Sequence, residues 1–447
     1  MKNRLSDIFF NIFVFMLALI PFVWLILAML NIYILNFSFR KGFIGLSFVL
    51  LFIFLCILIM RYFGLIYFSY LNYTFHASDP HKENKEFPLV SILLPAYNEG
   101  KNIEESIKSL LSLDYPKKEI IVVNDGSLDD TMEKAKKYEG LYPNSRVKVI
   151  FQENQGKAKA LNNGLKNSTG EFILCIDGDS IVEKNAINKA ITHFREEKVG
   201  AVAGNVKIIN INNTLTRLQS LEYIEGLNMV KQSQGFFKVV NIVPGPFGLF
   251  RRTAMESVGG YDNDTFAEDC DITIKLLDAD WKIVYEPEAI SWTEAPENMR
   301  NLFVQRYRWG RGILQVLKKH KRSFLGIKRR GSRLNVATIW YMFFEAVIWP
   351  IMNVFAQVFF LYVALTSGML SSLLFWWIQL TLLDMTAALH CVLIEKERLS
   401  YVLYSIPYRL YFILTIDVVK LLATLEEVLG AKMAWGRVER KGRLTKT

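Results

Sequence analysis

Residues 8–39 carry no charged side chain, and this run constrains the fold more than any other stretch of the chain. It exceeds the roughly 20 apolar residues that a membrane-crossing helix needs, and it lacks the small-residue cleavage site of a signal peptide. A second uncharged stretch follows at residues 42–60. Lys2 and Arg4 precede the first run and favour an N-terminus on the cytoplasmic side. We therefore predict two N-terminal transmembrane helices within residues 1–75.

The remaining composition predicts a membrane protein with one inserted soluble domain. Of the 447 residues, 51% are hydrophobic, and these crowd both ends and leave a charged middle. The net charge of +10 is concentrated at residues 318–333 and in the tail after residue 432, and both clusters adjoin apolar segments. Such clusters favour anionic lipid as a partner, and no nucleic-acid motif accompanies them. The cysteine and histidine spacings match neither a disulfide framework nor a zinc site.

Strand and helix patterns alternate through the soluble part, which begins near residue 86. Short apolar runs predict four strands, and residues 103–111 predict an amphipathic helix between the first two. This alternation favours a parallel sheet covered by helices, in which ligands bind beyond the carboxyl ends of the strands. The predicted strands are 90–94, 119–124, 147–151 and 172–176.

Asp177, Gly178 and Asp179 follow the last of these strands. Two carboxylates at the end of a buried strand repel each other unless a cation lies near them. A hard divalent ion, Mg²⁺ or Mn²⁺, with phosphate oxygens completing its shell is the natural partner. An ordinary solvated turn is the alternative, since Asp and Gly are common turn residues.

Polar residues near the other strand ends suit a sugar-nucleotide transferase. Asp125 can accept a hydrogen bond from a base, and Lys157 begins a predicted helix whose N-terminus favours an anion. Residues 268–271 (Glu-Asp-Cys-Asp) offer a base for an acceptor hydroxyl. Three residues further along suit sugar stacking and phosphate contact, namely Gln305, Arg308 and Trp309.

Taken together, these motifs resemble the processive family-2 glycosyltransferases, the group of cellulose, chitin, hyaluronan and poly-N-acetylglucosamine synthases. Each motif is short, but their order and spacing match over nearly the whole chain. The tail at 435–440 (Trp-Gly-Arg-Val-Glu-Arg) most resembles the poly-N-acetylglucosamine branch. The matching motifs are 95–99, 123–127, 177–179, 268–269 and 305–309.

The resemblance implies a role for each matching residue. It implies that Asp125 contacts uracil, that Asp177 and Asp179 serve the diphosphate and metal, and that Asp269 is the catalytic base. The residues implied to line the nucleotide pocket are Ala96, Tyr97 and Glu99. Those implied to line the acceptor and diphosphate site are Gln305, Arg308 and Trp309.

The chain departs from the family pattern at three places near the acceptor. Ala267 stands where the family has Thr, residues 244–247 read Pro-Gly-Pro-Phe, and Gly310-Arg311 replaces the usual Ala-Gln. These differences concern the identity of the sugar more than the transfer chemistry.

The C-terminal part predicts an interfacial helix followed by membrane helices. Residues 314–333 form a basic amphipathic stretch expected to lie in the membrane surface. Residues 334–394 contain about two spans, interrupted by the ionisable Glu345 and Asp384, which mark candidate functional positions. The segment 399–425 is either a third span or an interfacial helix. The expected divisions are 1–75, 86–313, 314–333, 334–430 and a basic tail at 431–447.

The sequence therefore predicts an α/β protein with a GT-A-type nucleotide-sugar transferase domain inserted between transmembrane helices. Its expected activity is inverting transfer from a UDP-sugar, UDP-N-acetylglucosamine by resemblance, into an exported polysaccharide. Single transfer to a lipid acceptor is the alternative, and a catalytically silent receptor or channel is a third reading. Expected partners are the UDP-sugar, the growing polysaccharide or lipid acceptor, membrane lipids and a small membrane accessory subunit, with no nucleic acid. The expected location is the cell membrane, multi-pass, with the catalytic domain in the cytoplasm.

Overall fold

A computed structural model describes residues 43–78, 87–326, 333–367, 370–431, 442 and 444. The predicted first membrane helix at 8–39 and the tail motif at 435–440 lie outside these residues.

In the described part of the chain, a mixed sheet of nine strands forms the centre of the soluble domain, in the order β3-β4-β2-β1-β5-β8-β7-β9-β6. All four predicted strands are present, as β1, β2, β4 and β5, and they pair in parallel. The strands are β1 (Val90–Ala96), β2 (Lys118–Asp125), β3 (Gly140–Tyr142), β4 (Ser145–Gln152), β5 (Phe172–Cys175), β6 (Ser180–Val182), β7 (Val199–Ile208), β8 (Gly248–Arg251) and β9 (Lys282–Thr293).

The sheet as a whole is mixed, and each antiparallel pair of described strands includes a strand outside the four predicted ones. Strand β8 runs antiparallel to both of its neighbours, and β3 and β6 pair antiparallel at the two edges. Regular alternation of strand and helix, which imposes parallel pairing, ends after β5. Beyond that point longer connections lead to β8 and β9. The local sequence pattern therefore does not determine the direction of these strands.

Helices cover both faces of the sheet. Alternate residues of β1 face two different apolar clusters, with Leu93 in one and Ile92 and Leu94 in the other. This two-sided burial explains why the central strands are continuous apolar runs. The helices of the soluble domain are α2 (Ile103–Leu111), α3 (Thr131–Lys136), α4 (Lys157–Lys166), α5 (Ala186–Ala190), α6 (Thr214–Leu221), α7 (Met229–Phe236), α8 (Arg252–Ser257), α9 (Glu268–Asp278), α10 (Met299–Lys319) and α11 (Lys321–Phe324), after α1 (Phe43–Ser78).

Within the described residues, four helical segments are long and apolar enough to cross a membrane, at Gly45–Phe75, Arg333–Thr366, Leu373–Ile394 and Tyr401–Val428. They are formed by α1, α12 (Arg333–Phe343), α13 (Trp349–Ser367), α14 (Leu370–Ile394), α15 (Tyr401–Pro407) and α16 (Ile413–Val428), with single π-helical turns between some of these. By length and composition, the chain has the helices of an integral membrane protein.

Both ionisable residues predicted inside the membrane segments have charged partners. Arg61 lies 2.5 Å from Glu345, and Arg409 lies 2.5 Å from Asp384, with both side chains of the second pair fully buried. Tyr62 also donates a hydrogen bond to Asp384. The Arg61–Glu345 pair and the Tyr62 hydrogen bond join the helix Phe43–Ser78 to later membrane segments, and the Arg409–Asp384 pair joins two of those later segments.

Helix α10 continues through the expected boundary between residues 313 and 314 and ends at Lys319. Residues 305–309 and the start of the basic stretch therefore share one helix. Only part of the predicted interfacial segment is described, since residues 327–332 lie outside the described ranges.

Candidate functional site

The candidate site lies where the parallel strands β4, β2, β1 and β5 end on one edge of the sheet. Ala96 is the last residue of β1, Asp125 is the last of β2, and Asp177 follows shortly after β5. Because parallel strands bring their carboxyl ends to the same edge, three segments that are distant in sequence meet there.

Lys157 is the first residue of α4, and its ammonium group bridges two carboxylates. Its Nζ lies 2.6 Å from Oδ1 of Asp177 and 2.8 Å from Oε1 of Glu268. The negative charges of Asp177 and Glu268 outweigh the effect of burial and hold the pKa of Lys157 well above its ordinary value. The ammonium is therefore charged at neutral pH and joins the end of β5 to the start of α9.

A small cavity surrounds this bridge. Its lining includes Lys157, Asp177, Gly245, Glu268 and Asp269. A Cβ atom added at Gly245 would lie 2.7 Å from Nζ of Lys157 and 2.8 Å from an oxygen of Asp177. The backbone at Gly245, within the Pro-Gly-Pro-Phe segment at 244–247, thus approaches the charged groups more closely than a residue with a side chain would allow.

Asp269 is the second residue of α9 and faces the same cavity. Burial first, and the negative charge of Glu268 second, raise its pKa to about 6, although the charge of Lys157 opposes the shift. Its Oδ1 also accepts a hydrogen bond from the backbone N–H of Cys270 at 2.8 Å. Asp269 is therefore a carboxylate that can take up a proton near neutral pH.

The residue before α9 is Ala267, and it makes no side-chain cap to the helix. Gly312 on α10 packs against it, because a Cβ atom at Gly312 would lie 2.8 Å from the Cβ of Ala267. The small side chain of Ala267 permits this close packing of α9 and α10. The packing also brings the helix that carries residues 305–309 beside the helix that carries Asp269.

Asp179 is nearly buried, with 3% of its surface exposed, and Glu99 packs nearby. A Cβ atom at Gly178 would lie 3.1 Å from Cγ of Glu99 and from the carbonyl oxygen of Pro95. The Asp177–Asp179 turn is therefore held against the loop that follows β1. The donors at this turn are carboxylate oxygens, which fit a hard divalent cation such as Mg²⁺ or Mn²⁺.

A second acidic group, Asp262, Asp264 and Asp271, has carboxylate oxygens within 4.8 Å of one another. Lys319 already contacts all three, at 2.7, 2.7 and 2.9 Å. Since an ammonium group neutralises this cluster, it serves as an ionic link between α9 and α10.

Asp125 is also nearly buried, and its carboxylate accepts hydrogen bonds from the turn that precedes α4. Next to it, Asn98 and Ser127 connect the loops after β1 and β2, since the backbone N–H of Asn98 donates to Oγ of Ser127 at 3.0 Å. Tyr97, between Ala96 and Asn98, lies in this connection, so the predicted nucleotide residues share one end of the site.

Residues Gln305, Arg308 and Trp309 lie on α10, outside the group that lines the cavity. Gln305 is buried and accepts a hydrogen bond from Arg306, whereas Arg308 is half-buried. Trp309 packs against an apolar cluster of Val206, Ile208, Tyr223 and Ala295. The structure thus separates the predicted site into a charged cavity and a neighbouring aromatic surface.

Sequence reasoning missed three contributors to this arrangement. Tyr261 lines the cavity, and its hydroxyl donates to Sγ of Cys175 at 3.3 Å. Arg306 lies inside the recognised Gln-Arg-Tyr-Arg-Trp motif and could have been singled out from it. Glu222, which pairs with Arg306, carried no local signal in the sequence.

Comparison with known proteins identifies one matching family and several relatives. Residues 91–259 match Glycosyl transferase family 2. The poly-beta-1,6-N-acetyl-D-glucosamine synthase of Staphylococcus epidermidis is 38% identical over 236 residues, which cover 53% of this chain and 57% of the relative. The enzyme of the same name from Staphylococcus aureus (strain COL) is 37% identical over 270 residues, which cover 60% of this chain and 65% of the relative.

Among solved structures, a mannosyltransferase of Pyrobaculum calidifontis, in complex with GDP-Man and Mn²⁺, matches 85% of this chain and 99% of its own length. The TM-score is 0.59 at 20% identity, which shows a common fold. The alignments to the two synthases span less than two thirds of their length. The family match over residues 91–259 and the common fold together show a glycosyl transferase family 2 domain of the GT-A fold.

Proposed function

We propose that the chain is a membrane-embedded, inverting β-glycosyltransferase that polymerises a UDP-activated sugar, UDP-N-acetylglucosamine, into an exported polysaccharide. The observation that carries this proposal is the cavity in which Lys157, Asp177, Glu268 and Asp269 meet at the edge of the sheet. The names of the two relatives supply the proposed sugar and product.

The proposed chemistry is a single displacement at the sugar carbon. Asp269 takes the proton of the acceptor hydroxyl as that oxygen attacks, and the bond to the nucleoside diphosphate breaks. Lys157, whose ammonium lies between Asp177 and Glu268, neutralises charge on the departing diphosphate. Asp177 and Asp179 would hold Mg²⁺ or Mn²⁺, which would stabilise that leaving group when bound.

The remaining predicted residues divide between donor and acceptor in this proposal. Asp125 belongs to the nucleotide end, with Ala96, Tyr97 and Glu99. The indole of Trp309 offers an aromatic face for a sugar of the growing chain, and Gln305 and Arg308 lie on the same helix. The membrane segments provide the route for export.

The activity is tested with purified protein and individual radiolabelled UDP-sugars, followed by sizing and digestion of the product with linkage-specific hydrolases. We expect a polymer from UDP-N-acetylglucosamine alone. A single labelled sugar on a lipid would support the alternative of single transfer. Absence of transfer from every UDP-sugar by folded, membrane-reconstituted protein would overturn the proposal.

We also propose that the domain at 86–313 lies in the cytoplasm and that the chain crosses the cell membrane several times. The basic residues flanking the apolar segments support this orientation. A cysteine introduced at exposed Asn144 should escape a membrane-impermeant thiol reagent in intact cells and react after permeabilisation. Efficient labelling in intact cells would reverse the orientation.

A further inference from the structure

The C-terminal end of α16 is joined to α10 through a buried arginine. Arg311 is 3% exposed, and its Nε donates a hydrogen bond to Oε2 of Glu427 at 2.6 Å. Its Nη2 donates to the backbone oxygen of Ala431 at 2.8 Å, just beyond the end of the helix. A cation at this end of a helix also interacts favourably with the helix dipole. Arg311 therefore holds the last turn of α16 against the soluble domain.

The two helices also pack closely around Gly310. A Cβ atom at this position would lie 3.2 Å from the Cβ of Ala423 on α16. Tyr307, one turn before Arg311 on the same face of α10, donates a hydrogen bond from its hydroxyl to Glu426. Since Gly310 and Arg311 replace the usual Ala-Gln of the family pattern, this contact is made by residues in which the chain departs from that pattern.

Gln315, one turn further along α10, connects this contact to the segment that precedes α9. Its Oε1 accepts a hydrogen bond from the backbone N–H of Phe266 at 3.0 Å. Its Nε2 donates to Oε2 of Glu427 at 3.4 Å. Because a backbone N–H can only donate, the orientation of the amide is fixed by this environment. One end of the Gln315 amide therefore binds the segment before α9, and the other end faces α16.

The backbone of the same segment is in direct contact with α10. A Cβ atom at Gly312 would lie 2.9 Å from the backbone nitrogen of Ala267 and 3.0 Å from the carbonyl carbon of Phe266. Ala267 has no side-chain oxygen to cap α9, so contacts from outside the helix hold its first turn. Glu268 and Asp269 follow at once as the first two residues of α9. The position of Asp269 thus depends on how α10 holds the residues just before it.

We propose that Gln315 is a positioning residue that acts through Asp269: it ties the segment before α9 to the end of α16 and thereby fixes where the proposed base meets the acceptor hydroxyl. Arg311 and Glu427 support this role by holding the end of α16 in place. A displacement of about 1 Å in a reacting group can cost roughly 100-fold in rate. The inference rests on the proposed function, since it requires Asp269 to be the base.

The test compares the turnover number with the affinity for UDP in Mg²⁺, using the full chain reconstituted in lipid bilayers. Gln315→Met keeps the length of the side chain and removes both hydrogen bonds. We expect kcat to fall between roughly tenfold and 100-fold. The affinity for UDP should change by less than about twofold, because the nucleotide end of the site is formed by the loops after β1 and β2. An equal loss of affinity and turnover would overturn the inference.

Lys318→Met is the matched control. Lys318 is exposed on the same helix, three residues after Gln315, and the exchange also introduces methionine. This variant should keep both the turnover and the affinity for UDP. A loss of turnover in Lys318→Met as large as that in Gln315→Met would overturn the specific role of Gln315.

A double-mutant cycle tests whether Gln315 acts through Asp269. In the Asp269→Asn background, Gln315→Met should change the residual turnover by less than about twofold, because the residue through which it acts no longer accepts a proton. Single-turnover assays with a labelled UDP-sugar measure these slow rates. Losses that add in full would show that Gln315 acts elsewhere and would overturn the inference.

Glu427→Gln provides a second variant that leaves α10 intact. It removes the charge that pairs with Arg311, so it should lower kcat by a smaller factor than Gln315→Met and keep the affinity for UDP. If Gln315→Met fails to fold, the cycle of Glu427→Gln with Asp269→Asn decides by the same criterion. Near-normal turnover of Asp269→Asn alone would overturn the proposed base, whereas additive losses overturn only the positioning role of Gln315.

Discussion

The guanidinium of Arg306 lies 4.1 Å from the centre of the Trp309 ring. Arg306 is 3% exposed and also pairs with Glu222 at 2.5 Å, in a π-helical turn that precedes α7. Its Nη1 donates to Gln305 at 2.6 Å. Because Trp309 and Gln305 are both held by this one side chain, Arg306 orients the aromatic surface proposed to receive the acceptor.

We predict that Arg306→Lys lowers kcat/KM for chain extension by about tenfold or more. Lysine keeps the charge but lacks the planar fork that stacks on an indole and pairs with a carboxylate through two nitrogens. Initial-rate measurements with a defined acceptor and saturating UDP-sugar test this. Arg300→Lys, the same exchange at an exposed position of α10, is the matched control and should change little. Equal effects of the two exchanges would contradict the orienting role.

A divalent metal is the subject of the second prediction. Chelation should abolish transfer, and added Mg²⁺ or Mn²⁺ should restore it, because the carboxylates of Asp177 and Asp179 offer hard oxygen ligands beside the proposed diphosphate position. Asp179→Asn should weaken UDP binding in Mg²⁺ while affecting metal-free binding much less. Isothermal titration with and without metal separates these effects. Full activity in excess chelator would exclude the metal.

His320 gives a prediction on pH and stability. It follows α10 and lies 2.8 Å from Asp271 and 3.6 Å from Asp278. Burial alone would lower its pKa, but the hydrogen bonds and negative charges of these two aspartates raise the pKa above its ordinary value. Since the folded pKa exceeds the unfolded value of about 6.5, the stabilisation is complete below that pH and is lost as pH rises through the folded pKa.

We therefore expect the melting temperature of the purified protein to fall on the alkaline side of about pH 6.5. His320→Gln should remove this component and flatten the profile on the alkaline side of about pH 6.5. Thermal unfolding at a series of pH values measures both proteins. An unchanged slope in the variant would show that another group is responsible.

The edge of the sheet could be predicted from sequence because its signals are local. Apolar runs ending in Asp125 and in Asp177 marked the strand ends, and parallel pairing required them to meet. Lys157 was found in the same way, as the first residue of a helix. Its bridge to Glu268 could not be read from the sequence, because that contact depends on how α9 packs after the irregular strands that follow β5.

The pairing of charges that lie far apart in the sequence was the main feature that the sequence could not predict. Asp384 was singled out as an ionisable residue in an apolar segment, yet nothing local indicated that it forms a buried pair with Arg409. Likewise Lys319 belonged to a basic stretch expected at the membrane surface, whereas the structure places it against Asp271 and two other acids. Charge density is visible in a sequence, but the partner of each charge is fixed by tertiary packing.

The base provides the last prediction. Asp269→Asn keeps the shape of the side chain but removes its basicity, and a positioned base is typically worth roughly 10²–10⁴-fold in rate. We expect turnover to fall within that range while UDP affinity changes little. With a pKa of about 6 for Asp269, the wild-type value of kcat/KM should fall roughly tenfold for each pH unit below about 6, since only the ionised carboxylate accepts a proton.

Asp271→Asn is the control for this prediction. Asp271 is fully buried against Lys319 and His320, so breaking this ionic link should lower the stability of the protein by about 3–5 kcal/mol. The same exchange should slow the chemical step of the folded fraction much less. Near-normal turnover of Asp269→Asn, together with a folded but inactive Asp271→Asn, would move the role of base away from Asp269.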